Sequence, residues 1–285
     1  MTSTSLNIAG KLDALLVATF DAVSRATSQL ETPYIIIGAA ARDLILHHGH
    51  GTGIARATQD IDFGIEVPDW AAFAALKERL CELGFQTTGT QHRLTSPLGL
   101  QVDIVPFGRI EDGLSTVAWP PEGDIVMNVL GLQDVYDAAE RVRIREEPPL
   151  DVPVATPAGL VLLKIIAWSD PARVGRRRDA TDIAELLLNY ERLPSICDAL
   201  YGDRIDLMEA HDWDLTEAAA HLLGAHARAI ARPATRRHIA RLATEDAETP
   251  RLDRLAEDMC ADVDAQYARN RRLLTAFMAG LAEPD

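Results

Sequence analysis

Apolar positions along the chain fall into two regimes, short runs first and helical spacing later. Residues 7–30 carry a helical period in Leu12, Leu15, Leu16, Phe20 and Val23. PYIIIG, residues 33–38, is a β-branched run ending on glycine, which predicts a buried strand. AAARDLILHHG then predicts a helix closed by Gly49, and a Gly-rich loop, GHGTGIARA, leads to the strand TQDIDFGIE, residues 58–66. Asp69 is the expected N-cap of DWAAFAALKERLCELG, a helix ending on Gly84. Segments 85–88, 91–96, 100–106, 124–131 and 141–145 read as further strands. This β-α-β-α-β order predicts a mixed α/β (α+β) domain over residues 1–150. The Pro-rich stretch EEPPLDVPVATPAG marks a boundary, with Thr156 as N-cap and Pro157 as first helical residue. Residues 151–285 then predict an all-helical domain.

Composition narrows the class. A chain of 285 residues, 47% hydrophobic and 25% charged, suits a globular protein of more than one domain. The net charge of −15 argues against a strongly basic nucleic-acid binder but leaves room for a local basic groove. Arg173, Arg176, Arg177 and Arg178 form the clear basic cluster. Arg228, Arg232 and Arg236 are spaced by four, but Pro233 interrupts the helix there, so a solvated face is expected. Cys81, Cys197 and Cys260 match no metal-ligand spacing and read as reduced thiols of a cytoplasmic protein. Neither a signal peptide nor a membrane span is expected.

The chemistry gathers in four places. Asp60 and Asp62 lie one residue apart in a strand, so their side chains share a face, opposite Ile61, Phe63 and Ile65. Unless one is protonated or both face water, as on an edge strand with two solvated acids, like charges so placed call for a cation, and carboxylate oxygens suit Mg²⁺. Asp103 is an isolated acid in LQVDIVPFG, expensive to bury unpaired. It pairs with an arginine, or it completes a two-metal site with the first two acids. In IIIGAAARD, Gly38 permits a sharp turn, Ala39 leaves room beside it, and helix-start N–H groups with Arg42 favour an anion such as phosphate. The second domain offers Lys164, alone in an apolar helix, and Asp179 and Asp182 on one face of the next. Plain readings of these last residues are a snorkelling lysine and acids that favour a helix dipole.

Together, G-x-A-x-R-D followed by D-I-D-F resembles the nucleotidyltransferase superfamily typified by DNA polymerase β. IIIGAAARDLIL with DIDFGI also resembles tRNA CCA-adding enzymes, although their R-R-D-F-T-x-N-A segment is absent. The K-I-I-A-W…R…R-D-A-T-D segment is more similar to AbiEii-type toxin nucleotidyltransferases, with K-L-x-A…R…K-D-x-x-D. The match spans about 35–108 and 160–190. The resemblance implies a nucleotidyltransferase-like mixed sheet and a Mg²⁺-dependent transfer of NMP from an NTP to an acceptor hydroxyl. Asp60, Asp62 and Asp103 would hold two Mg²⁺, with Asp103 helping to deprotonate the acceptor. Gly38 and Ala39 fall on the triphosphate-gripping turn, where Ala39 replaces a Ser or Gly. Lys164 would lie near the nucleotide phosphates, and Asp179 and Asp182 fall on the K-D-x-x-D acids. A tRNA 3′ end, a toxin-like role and an antitoxin partner are the implied biology. The alternatives are a protein or small-molecule acceptor, and a non-catalytic nucleotide-binding protein, against which the three acids argue.

Overall fold

The structure, a computed structural model, describes residues 6–53, 60–171, 175–243, 252–260 and 266–283. Residues 54–59 of the Gly-rich loop and strand entry, and Arg173 of the basic cluster, lie outside the described residues. The chain divides into two compact units, Met1–Thr156 and Pro157–Asp285.

The first unit is a mixed sheet with helices. Its strands are β1 (Leu6–Asn7), β2 (Tyr34–Ile37), β3 (Asp60–Glu66), β4 (Gln86–Thr87), β5 (Arg93–Thr95), β6 (Gln101–Phe107), β7 (Thr116–Ala118), β8 (Val126–Asn128), β9 (Glu140–Arg145) and β10 (Leu150–Val154). Eight of them run in the order β1-β9-β10-β2-β3-β6-β5-β4, while β7 and β8 pair separately. Helices α1 (Ala14–Gln29), α2 (Gly38–Arg42), α3 (Trp70–Glu82) and α4 (Leu132–Asp137) accompany them. Ile61, Phe63 and Ile65 of β3 are buried, and Phe63 meets Phe20 of α1 edge-on at 6.1 Å. That apolar alternation forces the even-numbered residues of β3 to the other face. Asp69 caps α3 by accepting from the Ala72 amide, as its position predicts, and Gly84 beyond the helix end has φ +92°.

Several local expectations change. Residues 7–13 are not helical: Ile8 is buried and its amide donates to the Arg143 carbonyl, Gly10 turns at φ +78°, and α1 starts after the Asp13 cap. The expected helix after Gly38 is a short α turn followed by a π-helical stretch, Asp43–Gly49. Its consecutive residues Leu44, Ile45 and Leu46 are all buried, a demand that one face of a regular α-helix does not meet. The Pro-rich stretch is not only a linker, because Leu150–Val154 is an inner strand between β9 and β2. Val152 and Val154 are fully buried there, and burial outweighs the one ladder bond that Pro153 forgoes. Strand 124–131 shortens to β8, whose Val126 is exposed and which pairs with the unforeseen β7 in a separate two-stranded sheet.

The second unit is helical throughout its described residues: α5 (Pro157–Ser169), α6 (Arg176–Asn189), α7 (Pro194–Leu200), α8 (Ile205–Ala210), α9 (Leu215–Ile230), α10 (Pro233–Ala240), α11 (Leu252–Asp258) and α12 (Tyr267–Ala282), with short 3₁₀ turns. α9 and α12 cross backbone to backbone. A Cβ on Gly224 would stand 2.0 Å from the Phe277 carbonyl oxygen, and one on Gly280 2.0 Å from that of His221. Arg269 of α12 donates to both oxygens of Asp214, the α9 N-cap, and to Glu217. Buried Trp168 lies in the last turn of α5; its indole N–H donates to Asp258, and the Arg176 guanidinium lies 4.8 Å above its ring. No helix among the described residues is long and apolar enough to cross a membrane.

Candidate active site

Strand register builds the site in the first unit. β3 and β6 run parallel with Asp60 beside Gln101 and Asp62 beside Asp103. Side chains paired across adjacent strands share a face, so Asp60, Asp62 and Asp103 all project from the face opposite the α1 contact. β5 runs antiparallel to β6 and sets Arg93 beside Asp103. Its Nε donates to Asp103 Oδ1 at 2.7 Å and its Nη2 to Asp103 Oδ2 at 2.6 Å. The same Nη2 reaches Asp60 Oδ2 at 3.5 Å. Bidentate pairing of this kind is the strong form of the arginine–carboxylate bond. Hydrogen bonding to Asp103 outweighs the opposing desolvation and, with the fields of Asp103, Asp60 and Asp62, holds the guanidinium well above its ordinary pKa. The cation that the paired acids call for is therefore, at Asp103, a side chain.

Gly38 faces Asp62 from the turn after β2. It has φ +67°, and a Cβ there would lie 2.1 Å from Asp62 Oδ2. Glycine is required twice, by the left-handed backbone and by the carboxylate against it. Ala39 follows, half-buried. Arg42 is buried, and its guanidinium donates to the Asp43 carboxylate through Nε at 3.1 Å and Nη2 at 2.9 Å. The structure thus brings Gly38, Asp60, Asp62 and Asp103 together and turns Arg42 into a pair with its neighbour.

Among the described residues, no group of three or more His, Cys, Asp or Glu side chains is gathered to hold a metal ion. Arg93 explains this at Asp103. Asp60 and Asp62 do fit a hard divalent cation in chemistry: both offer carboxylate oxygens on one face of the sheet.

The second unit holds its own charged cluster. Lys164 Nζ lies 3.1 Å from Asp179 Oδ1 and 2.5 Å from Asp182 Oδ2. Asp179 is 1% exposed. Burial works against the ammonium, but the Asp182 and Asp179 carboxylates outweigh it and raise the Lys164 pKa. The lysine is thus a paired cation, not a snorkelling one, and its two acids are one turn apart on α6.

Arg93 is the residue that sequence reasoning missed. Its signal was the Ser96–Gly99 turn, closed by the Gly99 amide donating to the Ser96 carbonyl. Counting outward from that turn sets Thr95 beside Gln101, Leu94 beside Val102 and Arg93 beside Asp103.

Among solved structures, the chain is similar to the antibiotic-resistance factor ANT(2'')-Ia (12% identity, TM-score 0.35, 70% of this chain and 98% of that one). It is also similar to an antigenic nucleotidyltransferase-like protein from Paracoccidioides brasiliensis (20% identity, TM-score 0.37, 72% and 91%). A third is the Thermotoga maritima CCA-adding enzyme complexed with tRNA (12% identity, TM-score 0.26, 96% and 84%). Among curated proteins nothing matches the chain. The family profile described as "Nucleotidyl transferase AbiEii toxin, Type IV TA system" matches residues 21–282, well beyond the segments whose motifs carry the resemblance. The chain therefore belongs to the AbiEii nucleotidyltransferase toxin family of type IV toxin–antitoxin systems, and its class of chemistry is nucleotidyl transfer.

Proposed function

We propose that the protein transfers NMP from an NTP to an acceptor hydroxyl with the help of Mg²⁺, and that the acceptor is a tRNA 3′ end. The observation that carries the reading is the row of acids on one sheet face, with Gly38 packed on Asp62. Asp60 and Asp62 would hold the divalent cation, which supplies charge neutralisation at the phosphates and the leaving pyrophosphate. The acceptor oxygen attacks the α-phosphorus, the bond from that phosphorus to the β-phosphate oxygen breaks, and pyrophosphate leaves. Asp103 takes the hydroxyl proton in this reading. Arginine uses only two of its carboxylate's lone-pair positions, so others remain to accept it. Gly38 and Ala39 bring backbone near the triphosphate in this reading. Family membership supports the toxin role and an antitoxin partner.

The test is incubation with each α-labelled NTP, Mg²⁺ and total tRNA, with protein extract and small hydroxyl compounds in parallel. Label at the tRNA 3′ end supports the reading in full. Label on protein or on a small molecule keeps the chemistry and replaces the acceptor. NTP binding without any label transfer would leave a nucleotide-binding protein.

A further inference from the structure

Arg93 lies outside every motif that carries the resemblance, yet it makes the closest contacts in the acid row. Its side chain is 34% exposed, whereas that of Asp103 is 11% exposed. The guanidinium grips both Asp103 oxygens and points the shared Nη2 toward Asp60. A metal ion on Asp103 would have to share a carboxylate whose two oxygens both already accept from the guanidinium, at 2.7 and 2.6 Å. At Asp60 the same guanidinium comes no closer than 3.5 Å.

We infer that Arg93 takes the place of a second divalent ion: the site holds one metal, on Asp60 and Asp62, while Arg93 keeps Asp103 out of the metal shell and aimed at the acceptor. The inference rests on the nucleotidyl-transfer reading of the same acids. Arg93 is then a positioning residue acting through Asp103. The three carboxylates do different work: two bind metal, and the third, held by arginine, faces the hydroxyl. The site's demand for a cation between Asp60 and Asp103 is met before any metal arrives.

The test is Mn²⁺ titration followed by electron paramagnetic resonance, on the full chain, with and without a non-transferable NTP analogue. The parent is expected to bind one Mn²⁺ per chain in both conditions. Asp62→Asn should weaken that binding by roughly tenfold or more, as loss of a metal-site partner commonly does. Asp103→Asn should weaken it far less than Asp62→Asn does, because in this assignment Asp103 neither binds the ion nor hydrogen-bonds to a carboxylate that does. Arg93→Gln frees Asp103 and should add a second Mn²⁺, while Arg93→Lys, which keeps the charge, should not. If Arg93→Gln folds poorly, the comparison of Asp103→Asn with Asp62→Asn still decides the outcome, because both keep the side-chain shape. Two Mn²⁺ on the parent, or equal weakening by Asp103→Asn and Asp62→Asn, would overturn the single-ion assignment and leave the nucleotidyl-transfer reading intact. Unchanged Mn²⁺ binding by Asp62→Asn would remove the metal role of the paired acids and take this inference with it.

Discussion

Gly38→Ala is the sharpest perturbation of the acid row. Two costs arise from the geometry. Left-handed backbone at φ +67° costs a residue with a Cβ about 1–2 kcal/mol. The new Cβ also lies 2.1 Å from Asp62 Oδ2 and 2.9 Å from its Cγ, so Asp62 must leave its rotamer, for about 0.5–1.5 kcal/mol. The sum is about 2–3 kcal/mol, or a melting shift of about 4–12 °C for a unit of this size. The two costs separate in a double-mutant cycle measured by urea denaturation without metal. In an Asp62→Ala background the clash is gone, so Gly38→Ala should cost only the backbone part, leaving a coupling of about 0.5–1.5 kcal/mol. An identical cost in both backgrounds would refute the contact between Gly38 and Asp62 as the reason for glycine.

Three further outcomes follow from the second unit. Gly280→Ala gains about 1 kcal/mol of helix propensity but forces Cβ against the His221 carbonyl, an overpacking of about 3 kcal/mol or more at this separation. Urea denaturation should show a net loss of about 2 kcal/mol, and a stabilised variant would contradict the close crossing. Arg269 lowers the Asp214 pKa to about 2, so the pair's contribution is complete above about pH 4 and lost as pH falls through about 2. With Asp214 partly exposed, screening reduces it to about 1 kcal/mol, and parent and Asp214→Asn melts should converge over that window. Lys164→Met leaves Asp179 and Asp182 without their cation and should cost about 3–5 kcal/mol, largely recovered by adding Asp179→Asn and Asp182→Asn. Because the Lys164 pKa is raised, its contribution is full below about pH 10.5 and lost as pH rises through the higher folded value; a parent–variant gap already closing at neutral pH would contradict the pairing.

Alternation made the acid row readable. Ile61, Phe63 and Ile65 had to face a core, so Asp60 and Asp62 had to share the other side, and Asp103 announced itself as a lone acid in an apolar strand. Its partner was less visible, because Arg93 comes from β5 and only the register across the Ser96–Gly99 turn sets the two side by side. Strand β10 was hidden for a different reason: Pro153 reads as a breaker, and its tolerance depends on burial of Val152 and Val154, a tertiary fact. Lys164, Asp179 and Asp182 were visible as residues, but whether a lysine in an apolar helix snorkels or pairs depends on how α5 meets α6. The glycines at the α9–α12 crossing gave no signal, since a helical glycine betrays nothing about which backbone approaches it.

The central claim is that the paired aspartates support nucleotidyl transfer, and Asp62→Asn tests it most directly. The change keeps shape and hydrogen bonding while removing one charge beside Gly38. Charge neutralisation at the transferred phosphate is worth several kcal/mol, so at about 1.4 kcal/mol per factor of ten the rate should fall by roughly a few hundredfold or more. The measurement is the single-turnover rate of label transfer from α-labelled NTP to the acceptor identified with the parent, beside a metal-free melt. The account predicts that large fall with an unchanged or slightly raised melting temperature; equal rates for parent and variant would contradict it.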